Sequence, residues 1–140
     1  MRTVRTKTSV FDSWSILAYL EGEPAAQTVT DIFAEAQELR SGLLMSVVNL
    51  GEVWYILARK TSEKEADQAI AELDYLGIEA VGIDWPLSRE AAKFKTVARM
   101  SYADCFAAAL AKLRGSALVT GDPDFKQVEG EIDIVWLKKR

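Results

Sequence analysis

Apolar positions along this chain alternate between short unbroken runs and longer stretches in which they recur at helical spacing. Thr8-Ser9-Val10-Phe11 predicts a short strand ending at Asp12, and Ile16, Leu17 and Leu20 share one side of a helix over 14–20. Beyond Glu23-Pro24, the residues Val29, Ile32, Phe33, Ala36 and Leu39 mark a second helix that runs to Ser41-Gly42, with Pro24 suited to its first turn. The run 43–48 predicts a strand. Asn49 is placed to cap a helix over 50–60, with Glu52 at its third position. Ala66, Ala69, Ile70, Leu73 and Leu76 predict a helix over 62–76 closed by Gly77. A weakly alternating strand over 78–83 follows, then a turn at Asp84-Trp85-Pro86 and a helix over 87–98.

The most informative stretch lies further on. Ser101 and Asp104 have the S-x-x-D spacing of a helix start, and Tyr102, Phe106, Ala109, Leu110 and Leu113 form one apolar face up to Gly115. Ala117-Leu118-Val119 then reads as a buried strand, stopped by Thr120-Gly121-Asp122-Pro123, and 132–137 is a final strand ahead of Lys138-Lys139-Arg140. Strands alternating with helices of these lengths predict one domain over residues 1–140, a doubly wound α/β fold with a mainly parallel sheet of about five strands covered on both faces. In such a sheet, strand C-termini and helix N-termini share one edge, where ligands bind. Asp12, Glu52, Asp104 and Asp122 all map to that edge, and adjacency of the first and fourth strands would set Asp12 beside Asp104 and Asp122.

Composition narrows the chemistry. The 140 residues are 49% hydrophobic and 27% charged, enough for a folded core. There is no histidine, which removes Ser-His-Asp and Cys-His catalysis and histidine-ligated zinc. The single cysteine, Cys105, sits among Phe106 and alanines, reads as a buried thiol and fits a reducing, cytoplasmic setting. No apolar run is long enough for a membrane span, and 1–10 lacks a signal-peptide hydrophobic region. Seventeen basic against 21 acidic residues give a net charge of -4, which argues against nonspecific coating of nucleic acid but not against a nuclease. A metal-loaded acidic site becomes locally cationic.

Each acid also has an ordinary structural reading. Asp104 and Glu52 are helix-start acids favoured by the macrodipole, Asp12 and Asp122 are loop residues, and Asp84 reads as a helix cap. Their convergence is what carries chemistry, because two unit charges about 4 Å apart repel by roughly 4 kcal/mol at an effective dielectric near 20. Several carboxylates in one crevice need a cation. Oxygen-only ligation points to Mg²⁺ or Mn²⁺, and phosphodiester hydrolysis by metal-activated water is the chemistry such an ion serves. A haloacid-dehalogenase-like phosphatase would want an acid where Trp14 stands, and the acids and lysine of a response-regulator receiver cannot be placed. Arg89, Lys93, Lys95 and Arg99 read as a solvated helix face ahead of a contact to an RNA backbone, and Trp14, Tyr19, Trp54 and Tyr55 as core or as an exposed groove.

Four pieces in order carry a family resemblance: Val10-Phe11-Asp12-Ser13, Ser46-Val47-Val48-Asn49-Leu50-Gly51-Glu52-Val53, Ser101-Tyr102-Ala103-Asp104 and Val119-Thr120-Gly121-Asp122-Pro123-Asp124-Phe125. Together they resemble the PIN-domain family, especially the VapC-like toxins of toxin-antitoxin pairs. The resemblance implies a three-layer α/β/α sandwich and a metal-dependent endoribonuclease, with Asp12, Glu52, Asp104 and Asp122 at the acidic site. It also implies hydroxyl support from Ser13 and Thr120, an auxiliary acid in Asp124, an RNA substrate, a cognate antitoxin protein and a homodimer. Trp14 departs from the pattern, being bulky where a small residue is frequent. A housekeeping RNA-processing PIN nuclease and a noncatalytic PIN-like binding module are the alternatives.

Overall fold

Short apolar runs with no polar interruption, such as Leu43-Leu44-Met45 and Leu118-Val119, suit strands covered on both faces, and these are buried throughout. The computed structural model describes residues 8–138. Lys139 and Arg140 of the basic tail, and residues 1–7, lie outside that range. Strands β1 (Ser9–Phe11), β2 (Leu43–Ser46), β3 (Ile78–Val81), β4 (Ala117–Thr120) and β5 (Ile134–Trp136) form one sheet in the order β3-β2-β1-β4-β5. All four pairings are parallel, and β1 lies beside β4 as expected, with Val10 opposite Leu118.

The helices are α1 (Ser13–Leu20), α2 (Ala26–Leu39), α3 (Val47–Lys60), α4 (Glu63–Tyr75), α5 (Trp85–Val97) and α6 (Tyr102–Arg114), with a 3-10 helix, η1, at Pro123–Val128. Because strand side chains alternate between faces, neighbouring residues divide between two cores. Val10, Leu44 and Leu118 pack with Leu87 and Phe94 of α5, Phe106 and Leu110 of α6, and Phe125 of η1. Phe11, Leu43, Met45 and Val119 pack instead with Ile16, Phe33, Val53 and Leu73 from α1 to α4. The result is the expected three-layer α/β/α sandwich.

Helix α6 is the most deeply covered, buried without a break from Cys105 to Ala111. Its alanines let it lie close against the sheet on one side and α5 on the other. Gly115 ends it in the left-handed conformation, φ 59°, which turns the chain directly into β4.

Local boundaries differ from expectation at two places that matter. The cap of α3 is Ser46, not Asn49: the Ser46 hydroxyl accepts the Asn49 N–H at 3.1 Å, so β2 stops at Ser46 and Val47 and Val48 are helical. Glu52 therefore lies in the second turn of α3 rather than at its third position. Helix α5 starts at Trp85, earlier than expected, because Asp84 caps it by accepting the Leu87 N–H at 3.0 Å. Asp84 is thus the structural cap its sequence position suggested.

Candidate active site

The C-terminal edge of β1 and β4 is built by caps. Asp12 immediately follows β1 and is the N-cap of α1, its Oδ1 accepting the Ser15 N–H at 2.9 Å. Its Oδ2 accepts the hydroxyl proton of Thr120, the last residue of β4. That hydroxyl also accepts the Asp122 N–H at 3.0 Å, so a single oxygen links Asp12 to Asp122. Asp122 in turn caps η1 by accepting the Asp124 N–H at 2.9 Å. On α6, Ser101 caps the helix through the Asp104 N–H at 3.1 Å, as the S-x-x-D spacing predicts.

Carboxylate oxygens of Asp104, Asp122 and Asp124 lie within 4.8 Å of one another, the one such acidic group among the described residues. Asp104 and Asp122 are half-buried and Asp124 is exposed. Asp12 is not in this trio; it is fully buried behind it. Glu52 reaches the neighbourhood from α3 and accepts a hydrogen bond from the Ser13 hydroxyl. The structure therefore unites two of the four predicted acids with Asp124, expected only as an auxiliary, and sets Asp12 and Glu52 around them. Ser13 and Thr120 each donate to one of the flanking acids.

Electrostatics follow from that crowding. Burial pushes the Asp104 carboxyl up to about 6, and the charges of Asp122, Glu52 and Asp124 push in the same direction. Burial also drives Asp12 up to about 7, against the lowering effect of its bonds from Thr120 and Ser15, with a small further push from Asp104. Carboxylates held this way are short of positive charge. The donor set is all oxygen and closely grouped, which is the chemistry that holds a hard divalent cation.

Asn49 was missed as a contributor to this site. It is fully buried, accepts the Ser46 hydroxyl proton at 2.6 Å on Oδ1, and donates from Nδ2 to the Ala103 carbonyl at 3.1 Å. It thereby pins the start of α3 to the first turn of α6, next to Asp104. An asparagine just after a strand looks like a cap, and its true partner lies 54 residues away. Of the basic residues, Lys93 pairs with Glu90 at 3.8 Å and Lys95 donates to the Met100 carbonyl at 2.6 Å. Among the aromatics, Trp54 donates to Asp67 at 2.9 Å, and Tyr55 is exposed beneath the Arg59 guanidinium.

Trp14 lies against Gly121, the residue between Thr120 and Asp122. A Cβ at position 121 would fall inside the van der Waals envelope of the indole ring. Gly121→Ala is expected to cost about 1–3 kcal/mol of stability, as overpacking usually does, and Trp14→Leu should restore most of it in the double variant. Urea denaturation of the two single variants and the double variant measures this. An alanine as stable as wild type would mean that the ring swings aside freely.

The comparisons with known proteins agree with this architecture. Residues 9–131 match the family model described as PIN domain. No curated protein matches the chain in sequence. Among solved structures, VapBC2 from Rickettsia felis, bound to a DNA fragment from its promoter, superposes with a TM-score of 0.73 at 12% identity, covering 94% of this chain and 99% of that one. A toxin-antitoxin complex from Klebsiella pneumoniae gives 0.68 at 16% identity, with 94% and 99% covered. VapC20 from Mycobacterium tuberculosis, a Sarcin-Ricin loop cleaving toxin, gives 0.70 at 21% identity, with 89% and 97% covered.

Proposed function

This chain belongs to the PIN-domain family, and from that premise we propose that it is a metal-dependent endoribonuclease and the toxin of a toxin-antitoxin pair. The observation that carries the reading is the approach of the Asp104, Asp122 and Asp124 carboxylates to within 4.8 Å of one another at the strand edge. A Mg²⁺ or Mn²⁺ ion held there would supply Lewis-acid activation of water and charge neutralisation for phosphodiester hydrolysis. Asp104 and Asp122 are the acids that would hold it, together with Asp12 and Glu52 as the sequence motifs suggest and Asp124 as the geometry suggests. Thr120 keeps Asp12 and the Asp122 backbone in register, and Ser13 does the same for Glu52.

RNA is the proposed substrate, and the cytoplasm the proposed place of action; no helix among the described residues is long and apolar enough to cross a membrane. A cognate antitoxin is proposed from the likeness to the toxin-antitoxin complex, and a homodimer from the family resemblance alone. An arginine supplied by such a partner would suit the acids, since its planar fork binds carboxylates in bidentate fashion and competes with a metal. A housekeeping PIN nuclease would share the chemistry without a dedicated antitoxin, and a noncatalytic module would lack it. Expression of the chain alone and beside the product of its neighbouring small reading frame, with RNA cleavage sites mapped, separates these. Growth arrest and cleavage relieved by the neighbour are expected; soluble protein with neither effect would defeat the toxin reading.

The raised carboxyls make a further prediction about pH. Asp12 and Asp104 titrate above their ordinary unfolded values, so the native state holds extra protons between about pH 4 and pH 7. The stability this contributes is fully present below the ordinary carboxylate range and is lost as pH rises through about 6 for Asp104 and about 7 for Asp12. Glu90 acts in the opposite sense, because Lys112 lowers it, but only at lower pH. The metal-free protein should therefore melt at a lower temperature at pH 8 than at pH 5.5, and Mn²⁺ affinity should rise over the same interval as the protons leave. Thermal melts with and without Mn²⁺ test both halves. A melting temperature that rises with pH in EDTA would contradict the assignment of strained acids.

A further inference from the structure

We propose that Gln127 is a positioning residue: its side-chain amide sets the distance between the segment that carries Asp104 and the one that carries Asp124, so that both acids can serve one divalent cation. This rests on the nuclease reading above. Gln127 lies on η1, one turn after Asp124. Its Oε1 accepts the Arg99 N–H at 2.7 Å, and its Nε2 donates to the Arg99 carbonyl at 3.2 Å and to the Asp124 carbonyl at 3.0 Å. Both amide protons are thereby used. Because an N–H and a C=O of the same residue face it, only one orientation of the amide satisfies the set.

Arg99 sits in the turn between α5 and α6, two residues before Ser101, the cap whose hydroxyl receives the Asp104 N–H. At the other end, the Asp124 N–H is held by the carboxylate of Asp122. One side chain thus spans from the turn that launches Asp104 to the turn that holds Asp122 and Asp124. Phe125 and Val128 of η1 pack in one core with Met100, Phe106 and Leu110, which brings the two segments together; among the described residues Arg99 has no backbone–backbone hydrogen bond, so the amide is what ties the backbone of this turn to η1. Lys95 steadies the same turn from α5 through the Met100 carbonyl, but it makes no link to η1.

Gln127 and Arg99 are both exposed, so water can replace the lost bonds and the fold should tolerate their loss. Metal affinity should not, since groups that orient metal ligands typically change it by about 10–100-fold. The test is calorimetric titration of Mn²⁺ into wild type, Gln127→Ala, Gln127→Met, Gln127→Asn and Asp104→Asn, with thermal melts in EDTA alongside. Met keeps the length without the amide, and Asn keeps the amide on a stem too short to reach both partners. The expected result is metal-free melting close to wild type for Gln127→Met, with Mn²⁺ affinity down about 10-fold or more in all three Gln127 variants. RNA cleavage in those variants should recover toward the wild-type rate at saturating Mn²⁺, a pattern that general destabilisation would not produce. If wild type binds Mn²⁺, Asp104→Asn does not, and the Gln127 variants bind as wild type, the role of Gln127 is overturned while the nuclease reading stands. If wild type itself binds no Mn²⁺, the nuclease reading fails and takes this inference with it.

Discussion

Replacing Asp104 with Asn is expected to lower metal-dependent RNA cleavage by about two orders of magnitude or more, the scale lost when one preorganised electrostatic group is removed from an active site. The side chain keeps its size, and the helix start is unaffected, because it is the backbone N–H of residue 104 that Ser101 caps. Two effects on stability oppose each other. An acid in the first turn of α6 gains about 0.3–1 kcal/mol from the helix dipole, whereas burial and the charges of Asp122, Glu52 and Asp124 disfavour its ionised form. The carboxyl is pushed up to about 6, so the unfavourable side wins. Asp104→Asn should accordingly melt no lower than wild type at pH 8 in EDTA, while losing the stabilisation that Mn²⁺ confers on wild type. Normal cleavage by this variant would falsify the role given to Asp104.

The second large effect is expected at Asp12, where removing the cap and removing the charge can be separated. Asp12→Ala deletes the N-cap of α1, costing about 1 kcal/mol, and strips the buried Thr120 hydroxyl of its acceptor, costing about 1–3 kcal/mol more. Loss of a desolvated carboxylate offsets part of this. Asp12→Asn keeps an oxygen for the Ser15 N–H and caps about as well as aspartate; its Nδ2 meets the Thr120 hydroxyl as a donor, so that hydroxyl still loses its acceptor but regains a partner, and the variant should be more stable than Asp12→Ala. If Asp12 serves only as a cap, the asparagine variant will cleave RNA normally and the alanine variant will fail in proportion to its instability. A role in the acidic site predicts instead that both lose activity by about 10²-fold, even where both are folded. Urea denaturation and cleavage assays on the same preparations decide between them.

Much of this arrangement was legible in the order of residues because it depends on local physics. Uninterrupted apolar runs such as Leu43-Leu44-Met45 and Ala117-Leu118-Val119 must be covered on both sides, which dictates a sheet between two layers of helices. The S-x-x-D cap at Ser101 and the left-handed stop at Gly115 bound α6, and they set Asp104 at the helix start and Asp122 beyond the following strand. The parallel connection then brings them to one edge. Asp12, Glu52, Asp104 and Asp122 could be named as a group for that reason.

What only the tertiary structure decided are the distances between segments far apart in the chain, and the depth to which each group is buried. Ser46 and Asn49 are both competent caps by sequence; Ser46 takes the role because Asn49 is drawn to the Ala103 carbonyl on α6. Asp124 looked auxiliary, yet the turn of η1 carries it to within 4.8 Å of Asp104 and Asp122. Asp12 looked equivalent to the other acids, but packing of β1 against β4 seals it behind Thr120 and raises it to about 7. Gln127 had no sequence signal at all. Hydrophobic period and capping are properties of a few neighbouring residues and can be read along the chain, whereas a carboxylate's neighbours and its access to water depend on how separate elements pack, and that exists only once the sheet has closed the chain on itself.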